Sequence, residues 1–134
     1  MPVKYNIIES KKLVYAIGSG HVTLSDLMGH MDELSHDPNY KAPMKKLVDY
    51  RQVNHLDLSM EASEIFAAKK AELKEVFHKE KCAIVATKDV NFGTARVHNA
   101  LIDSSGIETA VFRDLEKALA WLEIELDDDE LILD

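Results

Sequence analysis

The chain has 134 residues, 46% of them hydrophobic, which is enough for one domain with a substantial core. Its formal net charge of −8 argues against nucleic acid or an anionic membrane surface as a partner. The single cysteine, Cys82, excludes an internal disulfide, and no apolar run approaches the roughly 18 residues of a membrane span. We therefore predict a single cytoplasmic domain over residues 1–134, with no integral membrane segment.

The negative charge is concentrated at the C-terminus. Residues 123–134 hold seven acidic side chains and no basic one, so the rest of the domain is close to neutral. Within this acidic tail, Leu131, Ile132 and Leu133 form an apolar run that would be a liability if it were exposed. We expect this run to pack on the domain or across a dimer, and we predict a homodimer.

The N-terminal region has the pattern of a β-hairpin. Residues 3–9 and 12–17 carry β-branched and aromatic side chains on either side of a polar turn, which predicts two antiparallel strands. Gly18 and Gly20 are expected to end the second strand.

Thr23 marks the start of the first helix. Asp26 stands three residues later and completes a capping box, and Pro38 is expected to follow the end of the helix. An apolar stripe at helical spacing runs along this helix, and His30 lies outside it. The stripe consists of Leu24, Leu27, Met28, Met31 and Leu34.

The middle of the chain predicts a strand, a polar loop and a long helix. The strand covers 45–50, the loop 49–59 and the helix 60–78. Loops at the carboxyl ends of strands in open α/β sheets commonly hold ligands. This predicted loop contains four candidate site residues, Asp49, Arg51, Asp57 and Ser59. The apolar face of the helix is expected to comprise Ala62, Ile65, Phe66, Leu73, Val76 and Phe77.

The C-terminal half continues the alternation of strands and helices. The continuous apolar run 81–87 predicts a strand buried on both faces, and a shorter helix is predicted over 92–102. A turn at 103–106 and a strand over 107–112 follow, and Asp114 is expected to cap the last helix.

This order of elements defines the fold class. It predicts an α/β domain with a mixed sheet of about five strands and four helices. The N-terminal hairpin supplies an antiparallel edge, and the remaining strands are expected to be parallel because helices connect them.

Two segments resemble the STAS (anti-sigma-factor-antagonist) fold. Asp49, Val53 and the run Asp57-Leu58-Ser59 are similar to the strand-end Asp, apolar residue and helix-opening Asp-Ser-Ser-Gly of that family. The SpoIIAA-like branch is resembled in particular by Phe92-Gly93-x-Ala95-Arg96, Val111-Phe112-Arg113-Asp114 and Ala118-x-x-Trp121-Leu122.

The resemblance implies a bacterial regulatory domain in which a serine at a helix start is phosphorylated by a partner kinase. Ser59 is the matching position, although Leu58 and Met60 stand where the family has serine and glycine. The same fold class also resembles lipid-transfer domains, which bind an apolar ligand beside the sheet.

Each candidate residue has a functional and a structural interpretation. Ser59 could hold an anion at a helix N-terminus, or it could simply cap that helix. Asp49 and Asp57 could bind a partner or satisfy loop N–H groups. Arg51 and Arg96 could bind a carboxylate or phosphate, or pair with nearby acids. Arg96 is expected in the first turn of its helix, where a cation favours an anionic partner.

The sequence shows no catalytic set and no spacing of its six histidines that is typical of a metal site. We therefore predict a non-enzymatic domain without a cofactor or metal. The leading hypothesis is a STAS-like regulatory or protein-binding domain that acts through the 49–59 loop together with Phe92, Gly93 and Arg96. The alternative is a carrier or sensor of a small apolar or anionic, lipid-like ligand. Its pocket would lie near Met28, Met31, Phe66 and Phe92.

Overall fold

The computed structural model describes residues 2–102 and 108–133. Nine main elements follow one another within these ranges: β1 Val3–Ile8, β2 Leu13–Thr23, α1 Leu24–Ser35, β3 Lys45–Asp57, α2 Met60–Glu72, β4 Lys81–Val85, α3 Asp89–Ile102, β5 Glu108–Phe112 and α4 Leu115–Leu122. Short 3₁₀ turns occupy Glu9–Lys11 and Asp128–Leu131. The predicted turn at 103–106 and residue Ile107 lie outside the described residues.

The strands form one five-stranded sheet in the order β1-β2-β3-β4-β5. β1 and β2 pair antiparallel, and every other neighbouring pair is parallel. The predicted fold class is therefore confirmed, including the antiparallel hairpin at one edge and the four helices.

Local capping interactions fix where three of the helices begin. The Thr23 side chain and Asp26 form the predicted capping box at the start of α1. Ser59 Oγ accepts a hydrogen bond from Ala62 N at 3.0 Å, and Asp114 Oδ1 accepts one from Lys117 N at 3.1 Å. Each cap satisfies a backbone N–H that has no partner inside its helix.

β2 is longer than predicted, because Gly18 and Gly20 do not end it. A Cβ atom at position 18 would lie 2.8 Å from Tyr50 Cδ1, so glycine is needed there for close packing. Gly20 has a φ of +66°, a conformation that glycine adopts without steric cost. The two glycines thus allow an irregular strand to continue to Thr23.

The predicted loop at 49–59 is wrong, since β3 continues as a strand to Asp57. The polar residues pair with the extension of β2, in a parallel ladder between residues 19–23 and 52–57. On the other edge of β3, the Asn91 side chain accepts a hydrogen bond from Leu56 N and donates one to Val53 O, both at 3.0 Å. The asparagine replaces a neighbouring strand, so this backbone stays extended beyond the end of β4.

Helices cover both faces of the sheet. On one face, α1, α2 and α3 pack on a core that includes Val48 and Ile84. On the other face, α4 packs on Leu47 and Ala83. β4 is buried on both faces as predicted, because its residues alternate between the two cores.

The acidic tail folds back on its own domain. Leu131 and Leu133 pack against the core on the α4 face, while Ile132 is 67% exposed. Lys11 Nζ donates hydrogen bonds to Glu130 Oε1 at 2.6 Å and to Glu125 O at 2.7 Å. Two of the three residues of the apolar run therefore pack on their own domain without a second copy of the chain. The homodimer stays a prediction. No helix in the described ranges has the length and apolar character needed to cross a bilayer.

We expect the substitution Ile84→Asp to unfold the domain, because Ile84 is 5% exposed and an unpaired buried charge is very costly. Ile65→Asp is the matched control, since Ile65 on α2 is 46% exposed. Urea unfolding followed by circular dichroism should show a cooperative transition for the control alone. A cooperative transition in the Ile84→Asp protein would contradict the assignment of β4.

Candidate functional site

A small cavity lies between the sheet and the helices α1, α2 and α3. Its volume is about 50 Å³, which is room for a few water-sized groups. Much of its wall is apolar and includes Leu27, Met31, Val48, Phe66 and Ile84. The polar part of the wall comprises His30, Lys46, Tyr50, Lys70, Glu80, Cys82, His98 and Thr109. We refer to this space as the central cavity.

Lys46 and His30 form a buried pair in the cavity wall. Strand alternation places Lys46 on the cavity face of β3, whereas Lys45 faces α4 and donates to Leu122 O. Lys46 Nζ lies 2.7 Å from His30 Nε2, and the two residues are only 6% and 9% exposed. Burial, with Lys70 nearby, lowers the pKa of Lys46 to about 8.

His30 presents an unused hydrogen-bonding atom in this pair. Burial, reinforced by the charge of Lys46, lowers the pKa of His30 to about 2, so the imidazole is neutral at pH 7. Lys46 remains largely protonated at that pH and donates to Nε2, which places the imidazole proton on Nδ1. Within the described residues, Nδ1 has no hydrogen-bond partner, although it is fully buried.

A second charged pair lies in the same wall. Lys70 Nζ and Glu80 Oε1 are 2.9 Å apart, with side-chain exposures of 7% and 0%. Burial opposes the ionisation of Glu80, but the charges of Lys70 and Lys46 outweigh it and lower the pKa of this carboxyl. Two lysines thus share one carboxylate, which leaves the cavity wall with a net positive charge.

His98 and Cys82 are neutral members of the wall. His98 Nδ1 lies 2.9 Å from Ser63 Oγ, and burial lowers the pKa of His98 to about 4. Burial, helped by Glu80, raises the pKa of Cys82 to about 12, so its thiol is inert.

Hydrophobic periodicity does not reveal these polar residues, because it places polar side chains on the solvent face of an element. His30, predicted to lie outside the apolar stripe of α1, is buried. The predicted apolar face of α2 is confirmed in part, because Phe66, Leu73, Val76 and Phe77 pack on the core. Ile65 is exposed instead, Ser63 and Lys70 are buried, and the helix ends at Glu72. The sequence does contain a sign that Lys70 is buried. Lys70 lies at helical spacing between the apolar Phe66 and Leu73, which places it on the same face of α2 as those two residues.

Comparison with known proteins supports the architecture. No family model matches the chain, and no curated protein matches it either. Among solved structures, it is similar to an uncharacterised protein of the DUF3478 family with a SpoIIAA-like fold from Shewanella loihica PV-4. The two share 21% sequence identity at a TM-score of 0.57, over 90% of this chain and 93% of the other. This chain has a SpoIIAA-like fold.

In this SpoIIAA-like fold, Asp49 and Arg51 form an ion pair with each other, which agrees with the structural interpretation of Arg51 and not with the ligand-binding one. Arg51 Nε and Nη2 donate to the two Asp49 carboxylate oxygens at 3.0 and 2.8 Å. Tyr15 Oη donates to the same carboxylate at 2.9 Å. Burial opposes the ionisation of Asp49, but these hydrogen bonds outweigh it and lower the pKa.

Ser59 lies far from that pair. Its exposed hydroxyl caps α2, and Arg51 precedes it by eight residues of mostly extended chain, a distance of roughly 26 Å. Asp57 is closer to Ser59 in sequence and pairs with His21 at 3.0 Å. The predicted residues of the 49–59 segment are therefore spread along a strand and do not converge on one point.

Phe92, Gly93 and Arg96 lie on α3, which begins earlier than predicted, at Asp89. Arg96 is therefore in the second turn and not in the first, so the argument from the helix dipole does not apply. Its exposed guanidinium lies 5.8 Å from the centre of the Phe92 ring, and that of Arg113 lies 4.3 Å from it. Gly93 is exposed beside them. Whether these residues bind a partner stays a prediction.

The two buried histidines predict a loss of stability in mild acid. Their pKa values are near 6.5 in the unfolded chain and about 2 and 4 in the folded protein, so only the unfolded chain takes up protons as the pH falls below 6.5. At pH 5, His30 and His98 should each lower the free energy of unfolding by about 2 kcal/mol.

Urea unfolding at about pH 7.5 and about pH 5 measures this loss. His30→Leu should roughly halve it, whereas His36→Ala, at an exposed histidine, should leave it as in the wild-type protein. A wild-type stability that is equal at the two pH values would contradict the burial of neutral histidines.

Proposed function

We propose that this domain is a sensor or carrier that binds a small organic carboxylate in the central cavity. The observation that carries the proposal is the pair of Lys46 and His30, two buried donors in the wall of one cavity. Lys46 uses one of its three N–H groups on His30, and within the described chain the Nδ1 atom of His30 has no partner. A carboxylate oxygen can accept a hydrogen bond from either donor.

The charge of the cavity wall favours a monoanionic ligand. Lys46 and Lys70 carry two positive charges, and Glu80 balances only one of them. A buried charge without a partner is unfavourable, so the binding of one negative charge would relieve the cost. The volume of about 50 Å³ suits a carboxylate, and the apolar wall suits a short hydrocarbon group attached to it.

This proposal develops the ligand-binding alternative of the sequence analysis. Met31 and Phe66, two of its four predicted pocket residues, line the central cavity. Met28 packs in the core near Leu34, and Phe92 lies beneath Arg113. Because α1, α2 and α3 all contribute to the wall, a ligand between them could alter their packing, which is how a sensor would transmit occupancy.

The regulatory interpretation has a separate observation in its favour. β3 exposes a row of polar side chains that a protein partner could contact, namely Arg51, Gln52, Asn54, His55 and Asp57. A phosphorylation switch at Ser59 has weaker support, because the Ser59 hydroxyl already caps α2. In addition, Arg51 is paired with Asp49 and lies far from Ser59. A protein-binding role through β3 is compatible with ligand binding in the cavity.

The proposal predicts that short straight-chain monocarboxylates, from acetate to butyrate, stabilise the purified, tag-free protein. A ligand that binds only the folded state stabilises it by about 2.7 kcal/mol at 100 times its Kd, which thermal unfolding detects. The double substitution His30→Leu with Lys46→Met should abolish this effect. Lys41→Met is the matched control, because it removes the same charge from an exposed loop and should respond like the wild-type protein.

The double variant also separates function from folding. Replacing both partners of a buried polar pair with apolar groups is commonly neutral or stabilising, so the ligand-free variant should be at least as stable as the wild-type protein. If no carboxylate stabilises the wild-type protein saturably, the proposal is wrong. If the double variant is strongly destabilised, the pair serves the fold and not a ligand.

A further inference from the structure

We infer a second site, for a divalent transition-metal ion, on the exposed face of the paired ends of β2 and β3. Its ligands are His21, His55 and Asp57, each of which offers one donor atom. All three side chains are exposed, and their donor atoms lie within 4.8 Å of one another. In the described part of the chain, these residues form the only group of three His, Cys, Asp or Glu side chains with this geometry.

A β-bulge brings the three side chains to one face. Gly20 pairs with Val53 but His21 pairs with His55, so Asn54 is an extra residue in β3. Bulges of this kind redirect the side chains that follow them. From His55 onward, His55 and Asp57 point outward while Leu56 is buried.

The neighbouring strand β2 has the same alternation of exposed and buried side chains. His21 lies directly opposite His55 on the outer face, and the buried Val22 lies opposite Leu56 on the inner face. Asp57 follows His55 by two residues and therefore stands on the same outer face. A backbone ladder thus fixes the relative positions of all three ligands.

The distances suit a metal ion after small side-chain adjustments. His21 Nε2 is 3.0 Å from Asp57 Oδ2, and the two imidazole rings are 5.2 Å apart at an interplanar angle of 88°. Bonds of about 2.0–2.2 Å to zinc require donor atoms a little over 3 Å apart, which exposed side chains can reach by rotation.

The donor set selects the class of ion. Two imidazoles and one carboxylate suit zinc and neighbouring transition metals, whereas calcium and magnesium prefer oxygen ligands. Three protein ligands on an open surface leave further coordination positions for water. The simpler interpretation is a surface ion pair of His21 and Asp57, which is worth little in stability and has no need of His55.

The test is a titration of the tag-free full chain with Zn²⁺ in competition with a chromophoric chelator. We expect one equivalent to bind saturably. His21→Ala and His55→Ala should each weaken binding by more than about tenfold, since even the loss of an outer-shell partner costs 10–100-fold. His36→Ala is the matched control, because His36 is exposed beside Asp32 and belongs to no group of three ligands among the described residues. This variant should bind Zn²⁺ as tightly as the wild-type protein.

Histidine side-chain NMR signals locate the ion during the same titration. The signals of His21 and His55 should shift together with one equivalent of Zn²⁺, while those of His36 and His78 stay in place. Unchanged thermal midpoints will show that the variants are folded. The inference is overturned if Zn²⁺ does not bind saturably, or if His55→Ala binds as tightly as the wild-type protein.

Discussion

The buried ion pair between Lys70 and Glu80 is the interaction on which the centre of this domain depends. It joins α2 to the segment that leads into β4, at a point where both side chains are out of contact with water. Such a pair is costly to break, because the loss of one partner leaves an uncompensated buried charge. The pair therefore constrains the orientation of α2, and Lys46 then adds a second positive charge that Glu80 cannot fully balance.

The long strand β3 connects the two candidate sites. Lys46 lies near its start and faces the central cavity, whereas His55 lies near its end and faces solvent. About nine residues of strand separate them, so the sites are roughly 30 Å apart and can be tested independently. Asn91 stabilises the end of the strand from the α3 side, where a neighbouring strand is absent in the described sheet.

The order of elements could be read from hydrophobic periodicity and capping residues, and Ser59 and Asp114 cap their helices as predicted. The site could not be read in the same way, since periodicity assigns polar residues to solvent. His30 and Lys70 violate that rule because each has a buried polar partner outside its own helix. The end of β3 has the polar sequence of a loop, because the strand is bulged at Asn54 and its partners are the extension of β2 and the side chain of Asn91.

A crystal structure of the wild-type protein grown with a stabilising monocarboxylate tests the central claim most directly. We expect density for the carboxylate inside the central cavity, with an oxygen within hydrogen-bonding distance of Lys46 Nζ or of His30 Nδ1. A cavity that holds only ordered water on His30 Nδ1, with the carboxylate bound elsewhere or absent, would contradict it.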